Sequence, residues 1–311
     1  MPAAERIPTR RMTHLAGTGA DHVRRLLTQG ELTVRGQIRG ASNAVLHGVV
    51  GEGPEALPCV YKPVAGERPL WDFPDGTLAQ REVAAYQVAR AMGWDELVPV
   101  TVLRDGPYGE GMCQLWVGPV PRTGADEPGE PAEPGEPEST VGEGDPASDA
   151  GDSLLALVET DEPGPGWKAV GFAEVGEGRT ALLVHADDPR LRRLAVLDAV
   201  VNNGDRKGGH LLTSREGRLY AIDHGVTFHV EDRLRTLLWG WAGEPLTTEG
   251  LEVLRRLSGQ LADGAELAGR LAELITEAEV DAVRKRVGDL LATGRHPLPS
   301  GRWPAIPWPP V

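Results

Sequence analysis

Apolar and polar positions alternate with a strand-like period early in the chain and follow a helical period late in it. Leu32–Ile38, Ala44–Val50 and Leu57–Lys62 read as three strands, the first two separated by the break Gly40-Ala41-Ser42-Asn43. Leu78 to Met92 reads as a helix, with Ala84, Ala85, Val88 and Met92 near one face, Thr77 at its N-cap and Gly93 as its stop. Val98–Leu103 and Met112–Val117 supply two more strands. Further on the pattern turns helical. Asp188-Pro189 opens a helix that carries Leu191, Leu194, Ala195, Leu197 and Val201 toward a core, with Pro at its first position. It ends near Asn202-Asn203-Gly204. Leu211-Leu212 and Leu219–Ile222 then flank the turn Arg215-Glu216-Gly217, which is the signature of a hairpin. Helices are expected over Val230–Trp239, Thr248–Leu257, Ala265–Leu274 and Glu277–Ala292. The tail from His296 to Val311, rich in Pro and carrying Trp303 and Trp308, is expected to be extended and packed on the body.

Composition divides this pattern. Between Pro119 and Gly166 lie 13 acidic residues and one Arg, so this segment holds most of the net charge of −14. Its central stretch, Ala125–Asp152, is nearly free of apolar residues and cannot bury enough surface to offset ordering entropy. The expected organisation is a β-rich small lobe over 1–118, an acidic and mostly disordered insertion over 119–166, a mostly helical lobe over 167–295, and the tail over 296–311. At 311 residues an α+β chain of two lobes can give each its own core. The sequence shows no basic stripe for nucleic acid and no long apolar run for stable membrane insertion. The N-terminal stretch has no apolar core of a secretory signal, and Cys59 and Cys113 read as buried free thiols. A cytoplasmic location is expected.

The hairpin carries the chemistry. It brings its flanks together, so Asp205, His210 and Asp223 should converge. Two carboxylates and an imidazole can position a hydroxyl and hold a divalent ion, which is what phosphoryl transfer needs. Asp205-Arg206, then strand, turn, strand and Asp223-His224-Gly225, resembles the catalytic loop and metal motif of the phosphatidylinositol 3/4-kinase-like superfamily, to which the HipA-type bacterial kinases are related. Val60-Tyr61-Lys62-Pro63 looks like the strand with the phosphate-binding lysine, and Arg81–Tyr86 like the helix with its partner glutamate. Gly40–Ala44 resembles the polar loop over the phosphates, and Gln114-Leu115-Trp116-Val117 the hinge that cups adenine. The chain also resembles an actinobacterial group with this kinase-like domain.

The resemblance implies a bilobal protein-kinase-like fold that binds ATP with Mg2+ or Mn2+. It implies that Lys62 contacts the α- and β-phosphates and that Glu82 orients it. Ser42 and Asn43 would donate to phosphate oxygens, and Gln114, Trp116 and Val117 would line the base pocket. Asp205 would act as base or hydroxyl-positioning group, Arg206 and Lys207 would steady Asp205 or the transferring phosphate, and Asp223 would hold the metal. In the family the fifth residue after the catalytic Asp is Asn; here it is His210, which either ligates the metal or hydrogen-bonds nearby backbone. Imidazole is softer than an amide oxygen and favours Mn2+ or a single ion. His224 replaces an apolar residue and is expected to pack rather than ligate. Three functions follow: a kinase acting on a protein or small-molecule hydroxyl, a nucleotide-binding pseudokinase or scaffold, and an AMP transferase. A lipid acceptor ranks low without a basic or amphipathic membrane surface.

Overall fold

A computed structural model describes residues 18–38, 43–73, 77–118, 154–174, 179–214 and 216–308. The chain enters through helix α1 (Thr18–Gln29), which buries Val23 and Leu27. Its last carbonyls are not left unpaired: the Arg104 guanidinium donates to Leu27 O and Gly30 O, both at 2.8 Å. An antiparallel sheet follows, built from β1 (Leu32–Gln37), β2 (Leu46–Val50), β3 (Leu57–Pro63), β4 (Thr101–Gly106) and β5 (Gly109–Leu115), in the order β1-β2-β3-β5-β4. Strand β3 shows why the sheet has two unlike faces. Cys59, Tyr61 and Pro63 are fully buried on one side, while Pro58, Val60 and Lys62 alternate with them on the other and stay half-buried.

Helix α2 (Leu78–Met92) lies on the Lys62 side, where its Ala79 and Val83 pack on Met112 of β5. Its start is fixed twice. Thr77 and Gln80 form a reciprocal capping box, and the Glu67 carboxylate accepts from the amides of Leu78 and Ala79 at 2.9 and 2.8 Å. Gly93 ends it at φ +76°, a left-handed turn that disfavours a side chain.

The second lobe begins with a three-stranded antiparallel sheet of β6 (Leu155–Val158), β7 (Trp167–Glu174) and β8 (Thr180–Ala186), in the order β6-β8-β7. Helix α3 (Pro189–Val201) is capped by Asp188, whose carboxylate accepts from the Arg190 amide. After it come the hairpin β9 (Leu211–Thr213) and β10 (Leu219–Ala221), then α4 (Thr248–Gln260), α5 (Glu266–Ala272) and α6 (Glu277–Thr293). The core does not stop at the lobe boundary. One cluster runs from Val23 and Leu27 through Ala84 and Val88 of α2 to Leu194, Leu254 and Val283. The buried Arg81 adds a polar tie, reaching Glu279 of α6 at 2.7 Å and the carbonyl of Thr227 at 2.8 Å.

Two expectations fail and one helix was missed. Val230–Trp239 is irregular, with a single 3-10 turn at Trp239–Trp241. Its amides are used elsewhere: those of Arg235 and Thr236 donate to Asn203 O and Ala305 O, so tertiary partners replace a helical ladder. The start of the second lobe is sheet rather than helix, and its first strand, Leu155–Val158, lies inside the span read as a mostly disordered insertion, past the Ala125–Asp152 stretch. Helix α1 was not expected at all. The tail packs as expected, with the Trp239 indole donating to Ala305 O and the Arg233 guanidinium 3.9 Å from the centre of the Trp303 ring. Ala125–Asp152 lies outside the described residues. Among the described residues no helix is long and apolar enough to cross a membrane.

Candidate active site

Four separate elements supply the candidate side chains. Lys62 comes from β3, Glu82 from α2, Asp205 and His210 from the segment after α3, and Asp223 from the end of the hairpin. The Lys62 ammonium lies 2.7 Å from Glu82 Oε1 and 3.2 Å from Asp223 Oδ1. The other oxygen of Glu82 accepts from the backbone amide of His224 at 2.9 Å. One buried carboxylate therefore fixes both the lysine and the loop that carries Asp223. That loop turns sharply, with Asp223 at φ +60°, a left-handed conformation that Asp tolerates better than most residues.

Burial lowers the Lys62 pKa, but the charges of Glu82 and Asp223 outweigh it and the net shift is upward. Lys62 holds the Asp223 carboxyl well below the usual range against the opposing effect of burial. Burial raises the Glu82 pKa, and Lys62 counteracts it. Asp205 is also raised by burial, opposed by Lys207, whose ammonium is 3.1 Å from Asp205 Oδ2. The charge of Asp223 adds to that rise.

Arg206 does not face the cleft. It is fully buried and forms a two-pronged pair with Asp198 of α3, both contacts at 3.0 Å. It also donates to Ile222 O at 2.8 Å and meets His224 Nε2 at 2.8 Å. With its donors committed, it ties the Asp205 segment to the Asp223 loop instead of reaching a phosphate. Asn203, missed by sequence reasoning, completes the brace: its amide donates to Asp198 Oδ1 at 3.0 Å, and its oxygen accepts from the Asp205 backbone at 2.9 Å. The available signal was Asp198 itself, a charge inside the apolar run of α3, which demands a buried partner.

His210 sits between its two expected roles. The Lys207 amide donates to Nδ1 at 3.4 Å, so the ring proton lies on Nε2, which faces Asp223 Oδ2 at 3.5 Å. Burial pushes its pKa down to about 4, so the ring is neutral near pH 7. Metal ligation through Nε2 requires the other tautomer. His224 packs as expected, fully buried and kept neutral by burial.

The remaining candidates are less uniform. Asn43 Oδ1 accepts from the Arg68 amide at 2.9 Å, and Ser42 lies outside the described residues. Gln114 is buried and donates to Thr101 Oγ1 at 2.8 Å. Trp116 and Val117 follow the end of β5, with the Trp116 amide donating to Pro58 O at 3.0 Å. Among the described residues no group of three or more His, Cys, Asp and Glu could hold a metal ion, so Mg2+ or Mn2+ would rely on the half-exposed Asp223 carboxylate together with substrate phosphates, as such ions commonly do.

No family model matches the chain. Protein Rv2133c of Mycobacterium tuberculosis (strain ATCC 25618 / H37Rv) is 46% identical over 295 residues, spanning 95% of this chain and 98% of that protein. Phosphatidylinositol 4-kinase gamma 3 of Arabidopsis thaliana is 37% identical over 76 residues, 22% of this chain and 13% of that protein. Among solved structures, the Golgi casein kinase with Mn/ADP bound superposes with a TM-score of 0.50 over 95% of this chain and 81% of that one, at 12% identity. The fold is therefore kinase-like, with a β-rich first lobe and a more helical second one.

Proposed function

The chain belongs to the family of Protein Rv2133c, and from that premise and its kinase-like cleft we propose that it is an ATP- and divalent-metal-dependent phosphotransferase. The observation that carries this is the joint placement of Lys62, Glu82 and Asp223. A lysine held charged between two carboxylates, one buried and one open, suits binding of nucleotide phosphates. The acceptor would be a hydroxyl on a protein or small molecule. The short stretch shared with a phosphatidylinositol 4-kinase supports the 3/4-kinase-like type, and the Mn/ADP-bound neighbour supports use of nucleotide and metal.

In this reading Lys62 orients the α- and β-phosphates and Glu82 keeps its ammonium in place. Asp223 offers its open carboxylate to the metal, which when bound neutralises charge on the phosphates. Asp205 positions the acceptor hydroxyl and takes its proton. Lys207 balances Asp205. Arg206 and Asn203 hold Asp205 from behind.

Incubation with ATP labelled at the γ- or α-phosphate, with Mg2+ or Mn2+, tests the proposal. Transfer of γ-label that disappears in Asp205→Ala supports it. Transfer of α-label identifies an AMP transferase. One observation favours a second reading, a nucleotide-binding protein without transfer: His210 directs an N–H at Asp223 where the family pattern places an amide oxygen. Tight ATP binding with no transfer of either label to any acceptor offered would favour it.

A further inference from the structure

The face of the first sheet that carries Lys62 contains a side chain that the account above leaves unused. His47 lies in the middle of β2. It pairs with Val60 across β3, and Val60 pairs in turn with Gln114 of β5. Directly opposed residues share a face of the sheet, and Val60 and Lys62, two apart, share theirs. His47 therefore belongs to the face that carries Lys62, displaced from it by about two residues, or roughly 7 Å. The Lys62 end of this face holds the charges, and the His47 end holds Val60, Gln114 and the Trp116 that follows them.

His47 is 5% exposed, and neither Nδ1 nor Nε2 has a hydrogen-bond partner. Burial, and then the charge of Arg35, lower its pKa, so the ring is neutral, with one N–H and one lone pair. Both are covered from water and both are orphaned. Such groups cost stability, and packing alone is served as well by Leu. The ring meets Trp116 edge-on, with centroids 5.3 Å apart.

We propose that His47 reads the nucleobase: the heterocyclic base of the nucleoside triphosphate displaces the Trp116 edge and hydrogen-bonds the orphaned imidazole. This rests on the nucleotide-binding reading above and adds a residue that sets base preference. It separates the cleft into a phosphate end at Lys62 and a base-reading end at His47.

Calorimetric titration with ATP, GTP and inorganic tripolyphosphate, each with Mn2+, tests it on wild type, His47→Leu, His47→Gln and Lys62→Ala, alongside thermal melts of the free proteins. Expected is that His47→Leu weakens ATP binding about tenfold, brings ATP and GTP affinities together, leaves tripolyphosphate unchanged, and does not lower the melting temperature. His47→Gln recovers part of the preference. Lys62→Ala loses tripolyphosphate as well as ATP. Wild-type affinity and ATP/GTP ratio in His47→Leu overturn the inference and leave nucleotide binding intact. Equal weakening of all three ligands with a lowered melting temperature also overturns it, by showing a structural role. Failure of the wild type to bind ATP or tripolyphosphate removes the nucleotide reading itself, and this inference with it.

Discussion

Two clusters of charge flank the Asp223-His224 peptide, and they are built in opposite ways. On the cleft side Lys62 and Asp223 are 22% and 49% exposed, and their partners include each other. Behind the peptide Arg206 and Asp198 are both 0% exposed, and between them they engage Asn203, Ile222 O and His224. The buried cluster is turned inward: each of these contacts is made within the protein. The open cluster keeps carboxylate oxygen and ammonium hydrogen in reserve. The contrast separates framework from chemistry within a stretch of a few residues, so substitutions in the two clusters should fail differently.

The largest expected effect is on transfer. Asp205→Asn and Asp223→Asn should each reduce γ-phosphoryl transfer by about a hundredfold or more, with melting temperatures close to wild type. A large fall in melting temperature in either variant would erase the distinction between the clusters. Next comes the framework. Asp198→Ala strands the buried Arg206 charge and should cost about 3–5 kcal/mol of stability in denaturant unfolding. A loss below about 1 kcal/mol would mean that the buried pair is not the brace it looks to be.

A pH dependence is expected from a buried group outside both clusters. His296, 5% exposed and beside Arg192, has its pKa pushed down to about 4 by burial and then by that charge. The unfolded chain binds its proton from about pH 6.5 downward, while the folded chain resists until about 4. Between these values the unfolded state holds more protons, so stability rises with pH and falls on acidification. Unfolding free energies measured across that window should lose up to about 1.4 kcal/mol per pH unit from this group, a slope that His296→Gln removes. The smallest effect is expected at Lys207, whose partly exposed pair with Asp205 should contribute under about 1 kcal/mol. Lys207→Ala should leave melting almost unchanged while weakening transfer, and the ratio of the two effects measures how far Lys207 belongs to the open cluster.

Much of the fold could be read from the chain because local signals agreed. Helix α2 spans Leu78–Met92 as expected, since Thr77 and Gly93 fix its ends by backbone chemistry of their own. The hairpin, and with it the meeting of His210 and Asp223, followed from two apolar runs around a turn. The misses have a common cause in tertiary partners. Thr180–Ala186 is a continuous apolar run without alternation, because as the central strand of its sheet it buries Ala181 to His185 together. Val230–Trp239 has helical spacing, but its amides are taken by Asn203 and the tail. At the site, the resemblance implied that Arg206 steadies either Asp205 or the transferring phosphate, and only its burial against Asp198 decides between the two. His47 gave no signal in sequence, since a histidine in a strand declares neither its face nor its missing partners.

The central claim is that the open cluster is the phosphate and metal end of a nucleotide site. Titration calorimetry with ATP and Mn2+ on wild type and Asp223→Asn tests it most directly. The account predicts Mn2+-dependent ATP binding in the wild type, and a variant whose ATP affinity no longer responds to Mn2+. Binding in Asp223→Asn that keeps the wild-type dependence on Mn2+ would contradict it.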